Sequence, residues 1–271
     1  MNEKFEKSLP IKVQMPVYGV ALFSNSIPDL VLVVMQLWLV ELGAPLFIIG
    51  LVFGVRYVGP LLFAIHGGAM MDRVGTRRVL IFFALLMLIL PFVYPVAPWM
   101  PVIILLQLVS GIADSMSWVG AQTLTGQVLR GNPTYTGRLV FATRLGTFCG
   151  PPIAGASWDI LGPWGGFCAL SLWGAGLLYS VLGLPIDAVS KRSEYKVSAL
   201  KVAVPRLVDY VEAFKLFSIP LIAVVLAMTI IRQFGSGMQN AFYAVYLEGI
   251  GMSGTLIGLL VSATGLMGIA A

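Results

Sequence analysis

The sequence has little of what polar catalytic chemistry needs. Its 271 residues include one histidine and two cysteines, and only 11% are charged. Cys149 and Cys168 both lie in apolar runs without metal-ligand spacing, so neither a disulfide framework nor a metal site is expected. The nucleotide-binding loop G-x-x-x-x-G-K-S/T is also missing. We therefore expect no enzyme, no cofactor and no drive by ATP.

Apolar residues dominate instead. They make up 58% of the chain, and the mean hydropathy of +0.92 is too high for a soluble globule of this length. Eight runs could cross a bilayer; each is too long for a barrel strand and lacks strict alternation, so the sequence predicts an all-α, polytopic transmembrane helical bundle. The runs are 17–40, 46–70, 79–99, 101–127, 139–161, 165–185, 217–246 and 253–271.

The basic residues are distributed unevenly between the connections. Fourteen of the 17 fall before the first run or after the second, fourth and sixth, and the opposite connections hold none. By the positive-inside rule, the N-terminus and the polar segment after the sixth run are cytoplasmic. Basic charge confined to short loops indicates orientation, and no binding of nucleic acid is expected. The predicted division is a cytoplasmic N-terminus (1–16), a six-helix bundle (17–185), a cytoplasmic central loop (186–216) and two further helices (217–271).

An internal repeat relates the turn after the first run to the turn after the seventh. The two turns align without a gap, and each leads from an odd run into an even one. Parallel repeats of six spans are an architecture of secondary transporters, so we expect a second bundle of which only two helices precede Ala271. The recurring residues are Leu39, Gly43, Ile49, Gly50 and Leu51, which return as Leu247, Gly251, Ile257, Gly258 and Leu259.

A charged turn separates the second and third runs. Its acidic and basic side chains cannot lie in hydrocarbon without a large cost, so they mark a point where the chain leaves the bilayer. Gly75 can take a positive φ there, and Gly68 allows another helix to approach closely. The turn consists of Gly68, Asp72, Arg73, Gly75, Arg77 and Arg78.

Small residues and two prolines form a second pattern, in the fifth run. Gly146, Gly150 and Ala154 are four apart and make a ridge that permits tight helix packing. Pro151 and Pro152 remove two backbone donors and are expected to bend the helix. The sequence leaves two packing partners open: a helix of the other half, or a helix of the first bundle.

Five ionisable residues fall inside apolar runs, where such groups usually face a cavity or a partner. Asp29 and Asp114 are candidates for binding protons or substrate, with an ion pair to Arg56 or Arg144 as the alternative. Three polar stripes at helical spacing contain the candidate pathway residues. The stripes are Asn25, Asp29 and Gln36 on the first run, Gln107, Ser110 and Asp114 on the fourth, and Arg232, Ser236 and Gln239 on the seventh.

These patterns together resemble the major facilitator superfamily. The charged turn matches the family's signature loop, and Gly146, Gly150, Pro151 and Gly155 match its antiporter-associated G-x-x-x-G-P-x-x-G-G motif, with alanine at one glycine. The resemblance implies that Asp72 latches against the eleventh span of a full transporter, and that the neighbouring arginines anchor the turn at the lipid headgroups and pair with acidic groups on facing helices. It also implies that the first, fourth and seventh spans line a central cavity. The arginine that the family carries ahead of Gly111 is replaced by Gln107, which weakens the assignment of a proton-relay role there.

The function expected from this resemblance is secondary active transport of a small solute. Proton-coupled efflux of an amphipathic compound is favoured by the fifth-run motif. Uptake or exchange of an organic anion or metabolite is the alternative, because the five intramembrane ionisable residues are three arginines and only two aspartates. A non-transporting membrane scaffold is the alternative from a different class. The expected partners are a small-molecule substrate, protons and lipid, for a monomer in the plasma membrane.

Overall fold

In the computed structural model, residues 9–129, 132–185 and 218–270 are described, and no β-strand occurs among them. The predicted all-α helical bundle is confirmed, and five helical segments, with Pro133–Leu182 counted once, are long and apolar enough to cross a membrane. The helices are α1 (Ile11–Glu41), α2 (Leu46–Val74), α3 (Thr76–Val96), α4 (Met100–Gln127), the continuous run Pro133–Leu182, α7 (Pro220–Gly249) and α8 (Gly254–Ala270).

The 50-residue run Pro133–Leu182 is two helices joined at one residue. Gly162 has φ 64° and ψ −152°, a conformation that only glycine adopts readily, and separates α5 (133–161) from α6 (163–182). A Cβ at Gly165 would meet Ser157, and one at Gly150 would meet Trp173. The first contact lies close to Gly162, and the second lies further from it along both helices. The helices α5 and α6 are therefore antiparallel, as the sequence predicts for separate fifth and sixth spans.

The charged turn differs from its predicted form. We expected a loop of several residues, but α2 continues to Val74 and α3 starts at Thr76, so Gly75 alone is non-helical. Its φ of 99° reverses the chain without further residues. Asp72 therefore lies in the last turn of α2 and Arg77 in the first turn of α3. Similarly, α1 begins at Ile11, ahead of the predicted start at residue 17.

Within the six-helix bundle, α1 to α6, α1 packs along α6. Trp38 of α1 packs edge-on against Phe167 of α6, with 5.8 Å between ring centroids. Further along the same two helices, the Trp173 indole donates a 2.7 Å hydrogen bond to the Ser26 hydroxyl. Because lipid supplies no hydrophobic drive for helix association, such packing and small residues hold the helices together. A Cβ at Gly174, for example, would lie 2.6 Å from the backbone of Met87 on α3.

The turn repeated in the sequence is repeated in the structure. Gly43 has φ 65° and Gly251 has φ 84°. Each glycine N–H donates a 2.8 Å bond to the carbonyl three residues back, that of Val40 in one turn and that of Glu248 in the other. The N–H after each glycine reaches the carbonyl five residues back, at 2.9 and 3.1 Å. The predicted repeat is therefore confirmed at its turn.

Two ends of the molecule can now be distinguished. The basic end carries Gly75, Arg77 and Arg138, and the opposite end carries the turns at Gly43, Gly162 and Gly251. The predicted N-terminal segment lies partly outside the described residues, and the predicted central loop, 186–216, lies outside them, as does Arg130. The division of the chain into these segments stays a prediction.

Candidate functional site

A buried arginine joins α2 to α4. Nη1 of Arg56 donates to Oε1 of Gln107 at 3.0 Å, and Nη2 donates to Oδ2 of Asp114 at 3.1 Å. The exposed fractions of the three residues are 5%, 0% and 9%. Gln107 and Asp114 are two turns apart on one face of α4. We call these three residues the Arg56 network.

Gly111 explains how one guanidinium reaches both partners. It lies between Gln107 and Asp114 on α4, and a Cβ there would collide with the Arg56 carbonyl oxygen. The backbone of α2 therefore rests directly on α4 at this level. The guanidinium then extends along the α4 surface between the two polar side chains.

The Arg56 network retains hydrogen-bonding capacity. Among the described residues, Nε2 of Gln107 and Oδ1 of Asp114 are buried without a hydrogen-bond partner. Leaving a buried polar atom unpaired costs about 1–3 kcal/mol. The network thus presents one donor and one acceptor that could receive a proton or a polar group of a solute.

A second polar cluster joins α1 to α5. Nδ2 of Asn25 donates to Oγ1 of Thr147 at 3.3 Å, and the half-buried Asp29 carboxylate lies beside the same hydroxyl. Asp29 is within electrostatic range of Arg144 and of Asp114. In the described part of the chain, Arg56 with Asp114 forms the one direct ion pair, so the alternative pairing of Asp29 with Arg144 is not a direct contact.

The other predicted pathway residues lie further apart. Gln36 is fully buried and its Oε1 accepts a 3.0 Å bond from the Val245 backbone, which ties α1 to α7. Arg232 is exposed on α7, whereas the Arg56 network is buried. The side chains of Ser236 and Gln239 fall outside the described residues. Of the seventh-span stripe, the structure therefore places only Arg232.

The charged turn is attached to the bundle through Arg77. Its Nη2 donates to the Leu182 carbonyl at 3.0 Å and its Nε to the Val181 carbonyl at 3.4 Å. We expected the arginines to meet lipid headgroups and acidic groups. Arg77 instead binds the C-terminal end of α6, where carbonyls lack helical partners and the helix dipole is negative. Asp72 and Arg78 are exposed.

Gly68 and Arg73 complete the signature loop. A Cβ at Gly68 would meet no atom of the described chain within 4 Å, so the expected close helix approach is not seen there. The Arg73 side chain lies outside the described part. The proposed latch role of Asp72 therefore rests on the family resemblance.

The fifth-run motif packs against both of its predicted partners. Gly146 and Gly150 face Leu22 and Leu30 of α1, inside the six-helix bundle. Gly155 faces the backbone of Gly254 on α8, outside it. The backbone stays helical through Pro151 and Pro152, whose surroundings include Gly258 of α8. Tight packing at this motif thus occurs on two sides of α5.

Two residues near these clusters were missed from the sequence. Tyr94 is buried, stacks on Phe167 with 5.3 Å between centroids, and lies within electrostatic range of Arg56. Nothing in its local pattern distinguishes it from a core aromatic. Asp159 accepts three hydrogen bonds from α8. A signal existed here, because an acidic residue close to a helix C-terminus opposes the helix dipole.

Tyr94 and Ser110 also line a small pocket inside the six-helix bundle. Its other walls are aliphatic and methionine side chains from α1, α3 and α6, which gives an apolar interior with two hydroxyl groups. The lining residues are Ile27, Val31, Met35, Met87, Pro91, Tyr94, Ser110 and Leu170.

Comparison with known proteins agrees with this geometry. The family model of the Major Facilitator Superfamily matches residues 15–271. No curated protein matches the chain in sequence. The match includes the charged turn, the fifth-run motif and both copies of the repeated turn. The chain therefore belongs to the major facilitator superfamily and is an integral membrane transporter of that family.

Proposed function

We propose that this transporter expels a small amphipathic solute in exchange for protons, with the Arg56 network as the coupling site. The observation that carries the proposal is the buried contact of Arg56 with Asp114. Ionisable groups at membrane depth are expensive and mark proton or substrate pathways. A buried ion pair is also weak evidence for stability, since apolar residues can often replace it without loss.

Protonation of Asp114 would change the contact between Arg56 and Asp114. A proton on Asp114 removes the negative charge that holds Nη2 of Arg56 and leaves the guanidinium with Gln107. The contact between α2 and α4 then changes. Fewer than two turns toward its N-terminus, α2 touches α7, where Gly50 faces the Phe242 ring. A proton at Asp114 could in this way alter the contact between the six-helix bundle and α7, which alternating access requires.

Asp29 is the second proposed proton site. It lies on α1 within electrostatic range of Asp114. The negative charge of one carboxylate therefore acts on the other. Asp29 is half-buried and Asp114 is buried. We propose that a proton enters at Asp29 and acts at Asp114.

The nature of the solute is proposed from the fifth-run motif, which the resemblance associates with antiporters. The pocket beside Tyr94 has a volume of about 10 Å³, room for roughly one water molecule, so it does not determine the choice of solute. The basic end is proposed to face the cytoplasm of a plasma-membrane monomer, with Asp72 as a latch toward the second half.

An organic anion is the second candidate. The unpaired Nε2 of Gln107 lies next to the Arg56 guanidinium, and together they could bind a carboxylate. Arg144 adds positive charge near Asp29. In this version Arg56 would exchange Asp114 for the carboxylate of the solute.

The test is flux through the full-length protein in liposomes with an imposed pH gradient. Ethidium represents amphipathic cations and benzoate represents organic anions, and a dye reports internal pH. We expect ethidium movement coupled to proton movement, lost in Asp114→Asn and Asp29→Asn and retained in Glu41→Gln, which changes an exposed acid at the opposite end. Benzoate flux in place of ethidium flux would support the second candidate. Unchanged ethidium flux in both aspartate variants would remove these residues from the mechanism.

A further inference from the structure

Asp159, near the end of α5, binds the first turn of α8. Its Oδ1 accepts from the Gly254 N–H at 2.8 Å, and its Oδ2 accepts from the Thr255 N–H at 2.8 Å and the Thr255 hydroxyl at 2.6 Å. The first N–H groups of a helix have no partner within the helix, and a carboxylate there is favoured by the helix dipole. Asp159 supplies that carboxylate from a different helix, in the six-helix bundle.

The backbone contact beside Asp159 shows that α5 and α8 fit closely. One turn earlier on α5, Gly155 leaves no room for a side chain against the Gly254 carbonyl. One turn later on α8, Gly258 faces the Pro151 carbonyl in the same way. Larger residues at either glycine would push the helices apart and break the hydrogen bonds of Asp159.

An apolar cluster continues this contact toward the centre of the molecule. It joins α1 of the six-helix bundle to α7 and α8, and all its members are buried. We call it the seal: Val33, Leu37, Ala244, Leu247, Ile257 and Val261. Trp158, the neighbour of Asp159 in the chain, packs against the seal.

We propose that Asp159 is a clasp: its hydrogen bonds to α8 hold the opposite end of the transporter closed, and they must break before that end can open. The inference rests on the proposed alternating-access cycle, but it does not depend on the identity of the solute or on proton coupling. With the basic end in the cytoplasm, the clasp lies on the outer side of the membrane.

The exposure of Asp159 suits a bond that opens in every cycle. Asp159 is exposed at the surface, so on release its carboxylate regains water at little cost. The N–H groups of Gly254 and Thr255 also lie near the end of their helix, where water can replace the carboxylate. The apolar contacts of the seal have no preferred direction. The hydrogen bonds of the clasp are directional, so they fix the position at which α8 docks on α5.

α8 does not depend on the clasp to form. Ser253 precedes the helix and its Oγ accepts from the Leu256 N–H at 3.4 Å, which is a local cap. Asp159 binds only the two N–H groups that precede Leu256 and the Thr255 hydroxyl. Its loss should therefore change how α8 docks on α5 and leave the helix itself intact.

The experiment measures access to the seal. A reporter cysteine is introduced by Ala244→Cys, a small change at a buried position, after Cys149→Ser and Cys168→Ser remove the native thiols. Intact cells are treated with a membrane-impermeant maleimide. We expect Asp159→Ala to raise the labelling rate about fivefold or more, as follows from the loss of the hydrogen bonds that hold α8 to α5.

Matched variants separate the clasp from general charge effects. Glu41→Ala removes an exposed acid at the same end and should leave the labelling rate unchanged. Thr255→Val removes one donor and should raise the rate, while Thr255→Ser keeps the hydroxyl and should not. The Thr255 pair also keeps the test decisive if Asp159→Ala proves poorly folded by size-exclusion chromatography.

The outcomes distinguish this inference from the proposed function. Labelling needs neither a solute nor a pH gradient, so it reports opening alone. Parental labelling rates in folded Asp159→Ala and Thr255→Val would overturn the clasp, even if Asp114→Asn abolishes proton-coupled flux. Faster labelling in both, with flux indifferent to Asp29 and Asp114, would support the clasp and refute the coupling site.

Discussion

Nη2 of Arg56 lies 3.1 Å from Oδ2 of Asp114, although the two residues belong to different helices. The contact depends on Gly111, which lets the backbone of α2 rest on α4 between Gln107 and Asp114. The ion pair and the close backbone contact therefore lie at the same depth in the bundle. This coupling gives two predictions that separate the effect of the ion pair from the effect of the packing.

Removing one member of the pair should destabilise the protein. Arg56→Met leaves the Asp114 carboxylate buried without its cation, a situation that costs about 3–5 kcal/mol. Adding Asp114→Asn removes the uncompensated charge and should recover much of that loss. Thermal unfolding of the purified protein in detergent measures both. Arg78→Met, at an exposed position, is the control. A double variant no more stable than Arg56→Met would show that the uncompensated charge is not the cause.

Adding a methyl group at Gly111 should separate α2 from α4. In Gly111→Ala the new Cβ collides with the Arg56 carbonyl, and overpacking of this kind costs about 1–3 kcal/mol. Gly126→Ala, on the same helix, meets no described atom within 4 Å and should be neutral or slightly stabilising. The difference in unfolding temperature between the two variants checks the prediction. Equal temperatures would contradict the close contact of the two backbones.

The helices and the repeated turn were predictable from the sequence because their signals are local. Length and apolar character define a span wherever it packs. Gly43 and Gly251 both require a positive φ, so the same turn forms at both places. The extent of the charged turn was not predictable in this way. Whether Asp72 lies in a helix or a loop depends on how few residues reverse the chain, and Gly75 alone suffices.

The pairing of the buried charges could not be read from the sequence. Arg56 and Arg144 were equivalent candidates for Asp29 and Asp114, since spacing within a helix does not say which helices are neighbours. The packing of α2 on α4 places Arg56 beside Asp114. The same limit applies to the fifth-run motif, where Gly146 faces α1 and Gly155 faces α8. Which face of α5 meets which helix is a property of the whole assembly.

The conformation of Gly75 gives a third prediction. Its φ of 99° is unfavourable for a residue with a side chain, so Gly75→Ala should destabilise the protein by about 1–2 kcal/mol. Gly68→Ala is the matched control in the same segment. It lies within α2, where alanine favours the helix, and a Cβ there meets no described atom within 4 Å. Thermal unfolding of both variants checks the prediction, which fails if Gly75→Ala is as stable as the parent.

Arg77 distinguishes two roles of the charged turn. If positive charge at the headgroups were its role, Arg77→Lys would be silent. The structure instead shows Nε and Nη2 donating to the carbonyls of Val181 and Leu182, a geometry that fits a guanidinium and not an ammonium. We expect Arg77→Lys to lower the stability by about 1 kcal/mol, less than a fully buried contact would, because the side chain is half-exposed. Arg78→Lys, at an exposed position, should have no effect. Thermal unfolding in detergent measures both variants, and equal stability of the two lysine variants would assign Arg77 to orientation in the membrane instead of to the attachment of α3 to α6.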